Sequence, residues 1–277
     1  QAIEIKGRLR VAAALSWAPF AEINMEAGPL GAAIRAGEIA TPRAAKGAPG
    51  TDDQVMARVG AIWCRIGDVD RGQVLAHKAQ DALAGRDRLP VRFLIHQVLG
   101  NCCSLRGEAA EGLAQLEKAT MIARDMDDVP KLQSALTDRS AAQVRAGLPE
   151  AALATAEQAR QTATAASGPL RSAVVQTQYA RALHTLGRTT EALDLLHPAY
   201  QTFRRSRVPL KRAETAAALG AIYLSRGNLI YFCHYLDDCI NAFEMVTEDL
   251  QDEQVRNTFL RDPRRREVFD MIEQAKH

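Results

Sequence analysis

The sequence predicts an all-α fold, an α-solenoid of tandem helical hairpins, and three observations lead there. Gly67, Gly107, Gly147, Gly187 and Gly227 recur 40 residues apart without drift. Twelve residues after each glycine stands a small side chain: Ala79, Ala119, Ala159, Ala199 and Cys239. The composition is 47% hydrophobic but only 5% aromatic, with Ala and Leu supplying most apolar surface. That mix suits helices laid closely side by side, and the apolar–polar alternation of strands is missing.

Taken in order, Lys6, Arg8 and Arg10 precede an apolar run from Val11 to Ala18, in the outline of a signal peptide. The opening Gln1 in place of Met, and Glu4 among the basic residues, favour instead an amphipathic helix ending near Pro19, in a chain that starts partway into a longer protein. Ala21–Ala40 reads as a degraded copy of the repeat with Gly28 as its elbow, so residues 1–40 are expected to be N-terminal helices. Residues 41–52 follow as a linker, since Thr41 to Asp53 carries two prolines, two glycines and no periodicity. Thr51 is expected to cap the next helix, with Asp52 and Asp53 in its first turn.

Five hairpins are then expected over 53–248. Their first helices span about 53–66, 90–106, 130–146, 169–186 and 209–226, and their second helices about 69–85, 109–125, 149–165, 189–205 and 228–246. Pro90, Pro130, Pro169 and Pro209 mark helix starts, where a missing N–H costs nothing. Seven residues before the elbows stand Gly60, Gly100, Ser140, Ala180 and Gly220; five after them stand Gly72, Gly112, Ala152, Ala192 and, departing, Phe232. Small residues at those two heights let the helices of a hairpin cross at short range. Residues 249–277 change character: a short helix, a stop at Asp262-Pro263 and a final helix, with Phe259, Leu260, Val268, Phe269 and Ile272 set to cover the open end of the stack.

Glycine at the elbow, alanine twelve later, a small residue seven earlier and proline near the next start resemble the tetratricopeptide repeat. The resemblance covers roughly 53–246, with a 40-residue period in place of the usual 34 or so. It implies a right-handed superhelix, and resembles the extended repeats of large bacterial regulators; the tail is similar to the end of helical sensor regions in bacterial signalling ATPases. It also implies that first helices line a concave groove, with positions six and three before the elbow and one after it pointing inward. Those positions place Arg181, His184 and Arg188 in one stripe, with Arg145 alongside, Asn101, Ser104 and Glu108 continuing it, and Asn228 following. Converging guanidinium groups favour a carboxylate or phosphate. The competing reading is a solvated helix face whose arginines pair with neighbours such as Glu191.

Enzymatic chemistry finds no support: P-loop, HExxH, GxSxG, CxxC and EF-hand patterns are absent. Cys233, His234 and Cys239 spread around their helix instead of converging on a metal, Cys102 and Cys103 diverge, and Asp125, Asp127 and Asp128 read as a solvated turn. A net charge of +2 with both signs interspersed gives nucleic acid no footing, and the basic run Arg204, Arg205, Arg207, Lys211 and Arg212 lacks aromatic interleaving. No apolar run is long enough to span a bilayer. Five scattered cysteines fit a reducing, cytoplasmic setting. The expected function is therefore non-catalytic recognition, without cofactor or metal, of a protein or peptide segment bearing an acidic or carboxylate group. The alternative is a regulatory domain, cut from a larger bacterial signalling protein, that senses a small effector in the same groove.

Overall fold

The computed structural model describes residues 29–44, 52–83, 85–162 and 168–274. Among them all regular structure is helical. The helices are α1 (Leu30–Ala44), α2 (Asp52–Ile66), α3 (Val69–Leu83), α4 (Leu89–Leu105), α5 (Ala109–Asp125), α6 (Val129–Arg145), α7 (Pro149–Gln161), α8 (Gly168–Thr185), α9 (Thr189–Arg205), α10 (Pro209–Ser225), α11 (Leu229–Asp249), α12 (Glu253–Arg261) and α13 (Pro263–Gln274). No helix among the described residues is long and apolar enough to cross a membrane.

The elbows share one device. Each repeat glycine has positive φ, from 67° at Gly227 to 109° at Gly67. The residue after it donates its N–H to the carbonyl four before it: Asp68 to Trp63 at 3.0 Å, Glu108 to Cys103, Leu148 to Gln143 and Asn228 to Tyr223 at 2.9 Å, and Arg188 to Leu183 at 3.0 Å. This left-handed turn satisfies an orphan helix carbonyl, and glycine adopts it without a Cβ clash. The following residue opens the second helix, so the chain reverses within three positions.

The chain divides into two compact units. The first takes residues up to Met126 together with Asp249–Phe259. In it α1 packs on α2, the hairpins α2/α3 and α4/α5 close on themselves, and α2 lies against α4. Ala57, Ala76, Ala79, Val91, Ile95 and Leu99 form much of its core. Asp53 is fully buried at the start of α2, where Arg88 reaches it at 2.8 Å and Arg86 at 3.4 Å. At the other end of the sequence Asp249 accepts the Gly31 N–H at 2.5 Å and faces Arg35 at 3.8 Å.

The second unit takes Asp127–Glu248 and residues from Leu260 on. Its hairpins α6/α7 and α8/α9 are closed, α8 lies between α6 and α10, and α13 touches α10. Leu136, Ala159 and Val175 form one apolar cluster, and Ala173, Ala199, Phe203 and Val208 another.

The paired small residues meet across the first three hairpins. A Cβ added at Gly60 would stand 3.1 Å from the Gly72 carbonyl oxygen, and one at Gly100 only 3.0 Å from that of Gly112. In the third hairpin the Ser140 hydroxyl donates to the Ala152 carbonyl at 2.8 Å, and Gln178 donates to Ser140 at 3.2 Å. In the fifth, the departing Phe232 sets the distance, and a Cβ at Gly220 would touch nothing nearer than 3.8 Å. All five residues twelve past the elbows are buried.

Several boundaries differ from expectation. Helix α1 runs on through Thr41 and Pro42 to Ala44, where the sequence reads as the start of a linker. The Thr41 hydroxyl donates to the Gly37 carbonyl at 2.8 Å, adding a side-chain bond to the last turns. Residues 45–51, Thr51 included, lie outside the described residues, as do the N-terminal amphipathic segment and the Gly28 elbow, while Asp52 already belongs to α2. Helix α11 continues to Asp249 because Phe243, Val246 and Leu250 keep its buried stripe going. The tail breaks at Asp262-Pro263 as expected, and α11 carries several exposed apolar side chains. Leu229, Tyr231 and Met245 are half exposed and Ile230 is 83% exposed. Of the five tail residues expected to form a lid, Phe259 and Val268 are buried and Phe269 faces solvent.

Candidate functional site

Asn101, Ser104 and Glu108 belong to the first unit. Ser104 is buried, because the position three before the elbow faces the partner helix: a Cβ on Gly112 would meet the Ser104 backbone nitrogen at 2.9 Å. Asn101, six before the elbow, is half-buried, and Glu108 is exposed at the N-cap of α5.

The remaining candidates belong to the second unit. His184 shares the register position of Ser104 and is half-buried, with an Nδ1 shielded from solvent and lacking a hydrogen-bond partner. Desolvation holds its pKa below the usual imidazole value. The position one after the elbow is the N-cap of each second helix. Arg188 stands there at the head of α9, and its Nε and Nη2 donate to both Glu191 carboxylate oxygens at 2.7 and 2.6 Å. Asn228 uses its side chain as a cap, accepting the Tyr231 N–H at 3.3 Å, as Asp68 does for Arg71 at 3.0 Å.

Arg145 and Arg181 are the two candidates that the structure brings together. Arg145 ends α6 and Arg181 lies on α8. Desolvation is the largest influence on the Arg145 guanidinium, lowering its pKa to about 10; Arg264 and Arg181 push the same way, while Asp138 and Glu267 oppose them. Arg145 keeps solvent contact as a residue, so screening weakens these forces and the group stays charged at neutral pH. Arg181 Nη2 stands 3.8 Å from Glu267 Oε2.

Arg264 and Glu267 come from α13, which the 40-residue register does not reach. Asp262 organises its start. Burial by itself would raise the Asp262 carboxyl, but hydrogen bonds and charge from Arg264 and Arg265 hold it below the usual carboxylate range. Its Oδ1 accepts the Arg264 N–H and Nε at 2.8 Å each, and Arg265 Nη1 lies 2.9 Å away. Asp262 thus caps the helix and neutralises the first arginines of the run Arg264-Arg265-Arg266. The run was visible in the sequence; its placement beside Arg145 was not.

A second cluster escaped the sequence reading altogether. His197 on α9 has Nε2 3.0 Å from the Tyr223 hydroxyl and Nδ1 3.1 Å from that of Tyr235. Tyr223 stacks on Tyr235 with ring centroids 5.7 Å apart and on Tyr231 at 4.9 Å. Four of the five tyrosines fall between positions 200 and 235, which was the available signal.

Other charged groups are locally engaged. Lys211 meets Glu214 at 2.8 Å, Arg212 meets Asp238 at 3.3 Å, and Asp128 caps α6 by accepting the Lys131 N–H at 3.0 Å. Among the described residues no group of His, Cys, Asp and Glu side chains is arranged to hold a metal ion. The face around Arg145 and Arg181 is thus a partly solvated cationic surface, suited to binding carboxylate or phosphate oxygens.

No protein-family model and no curated protein sequence matches this chain. Solved structures do. The Rap protein complexed with Competence and Sporulation Factor superposes with a TM-score of 0.73 at 11% identity, over 95% of this chain and 74% of that one. NprR in complex with its cognate peptide NprX gives 0.66 at 11% identity, over 98% and 86%. The signal transduction ATPase with a tetratricopeptide repeat sensor from Pyrococcus horikoshii gives 0.58 at 13% identity, over 89% and 40%. The chain therefore has the tetratricopeptide-like fold of tandem helical hairpins.

Proposed function

We propose that this chain is a non-catalytic recognition module that binds an acidic peptide or protein segment on the inner face of its second unit, with Arg145 and Arg181 as the anchoring residues. The observation that carries the reading is the gathering of guanidinium groups there: Arg181 stands 3.8 Å from Glu267, and Arg145, whose pKa is lowered first by desolvation, also feels Arg264 and Arg181. An incoming carboxylate forms charge-assisted hydrogen bonds, each contributing roughly 1.5–3 kcal/mol. Solved proteins of the same fold described as complexed with a competence and sporulation factor or with a cognate peptide support the class of ligand.

Fluorescence anisotropy against a panel of labelled acidic peptides tests it. Arg145→Ala combined with Arg181→Ala should weaken the best binder on the order of 100-fold, whereas Arg188→Ala, whose guanidinium is committed to Glu191, should change it by less than about threefold. Unchanged affinity in a well-folded double variant refutes the assignment. The second reading, a regulatory domain sensing a small effector, is favoured by the likeness to the sensor-bearing signalling ATPase. A thermal shift with small anionic metabolites and none with peptides would select it.

A further inference from the structure

The cationic face is already met by a residue of the same chain. Glu267 stands opposite Arg181 at 3.8 Å and is one of the two carboxylates acting on Arg145. Helix α13 is delivered there by its own base. Pro263 starts the helix, Asp262 binds Arg264 and Arg265, both Arg265 and Val268 are buried, and the helix rests against α10. The ionic contact itself is loose. Both partners keep water, with side chains 38% and 58% exposed, and ion pairs of that kind exchange cheaply for others. On its far side α13 presents Phe269, 46% exposed, over a shallow hollow lined with Leu260, Arg261, Arg266 and Asp270.

We propose that Glu267 is an internal stand-in for the ligand: α13 offers the arginine pair a side-chain carboxylate carried in the middle of a helix, and an acidic helical segment of a partner takes Arg181 and Arg145 from it and loosens α13. This rests on the arginine face being the binding site, and it narrows the ligand to a side-chain carboxylate on a helix in place of a chain-terminal one. It also gives binding an outlet. Once Glu267 is displaced, α13 loses its ionic contact with Arg181 while Arg264 stays engaged with Asp262 at the helix start, so the helix beyond its first turn is held less firmly.

Amide hydrogen exchange on the intact chain tests the internal contact, with α6 and α8 as the control for an intact fold. Glu267→Lys should speed exchange across residues 265–273 about fivefold or more, and Arg181→Glu should do the same. The two together, which swap the charges, should return it to within about twofold of the parent. A labelled, end-capped synthetic peptide spanning 262–274 should bind the Glu267→Lys chain at least fivefold more tightly than the parent chain. Exchange that ignores these charges while acidic peptides still bind through Arg145 and Arg181 overturns the stand-in and leaves the binding face in place. Exchange that responds, with the peptide and the acidic panel bound by neither chain, overturns the binding face and with it the displacement.

Discussion

Substituting the small residues at the hairpin crossings gives a sharp contrast. An alanine Cβ at Gly112 would stand 2.9 Å from the Ser104 backbone nitrogen, 3.1 Å from the Gly100 carbonyl oxygen and 3.2 Å from the Ser104 Cα. All three are backbone atoms, so relief requires α4 and α5 to separate. Overpacking of this kind costs about 1–3 kcal/mol, and the separation also strips contacts from Leu116, which is fully buried beside Gly100. Alanine returns at most about 1 kcal/mol as the better helix former, leaving a net loss near 1–2 kcal/mol. Gly220 holds the same register as Gly100, yet a Cβ there would meet only Phe232 Cδ2 at 3.8 Å and Tyr235 Cβ at 4.0 Å. With no clash, the propensity gain stands alone and Gly220→Ala should stabilise by about 0.5–1 kcal/mol. Urea denaturation followed by circular dichroism reads both as shifts of the midpoint at constant slope. A Gly112→Ala chain as stable as the parent, or a Gly220→Ala chain less stable than Gly112→Ala, would refute the crossing geometry.

Two further outcomes follow from buried charge. Asp53→Ala should cost about 1–3 kcal/mol, because a fully buried, hydrogen-bonded carboxylate is lost while Arg88 and Arg86, each over a third exposed, regain water; a thermal midpoint no lower than the parent's would contradict the burial. His96, His184 and His197 all have pKa values lowered chiefly by desolvation, so the unfolded chain binds protons more readily than the folded one. Their contribution to stability is fully present above the unfolded value near 6.5 and is lost as pH falls through the lowered folded values. The denaturation midpoint should therefore fall between pH 7.5 and pH 5.5, and a midpoint that rises over that interval would reverse the sign.

The repeat was legible because each of its signals has a local cause. The elbow glycines mark positive φ, the small residues mark crossings, and the prolines mark helix starts; these fix the limits of α2 to α10 to within a few residues. Phe232 was legible as a departure, and the structure shows what it departs from: the wide crossing at Gly220. The candidate site was only half legible. Arg181 follows from the register and Arg145 was expected alongside it, but the position three before the elbow turns toward the partner helix at Ser104, and the position after the elbow is a cap at Arg188 and Asn228. A 40-residue count distinguishes heights along a helix better than directions around it. Asp138 escaped notice because its neighbours in the other copies carry no matching charge, and Glu267 because the tail belongs to no repeat.

The bond between Asp249 and Gly31 spans 218 positions. In an ideal array every unit senses only its immediate neighbours, so terminal copies fray independently and assembly spreads from any starting point. Here the first described helix is clasped by a residue 218 positions further along the chain. Truncation beyond position 248 should thus be felt at residues 31–35, and completing that clasp adds a high-separation step to a chain whose hairpins close between neighbours in sequence.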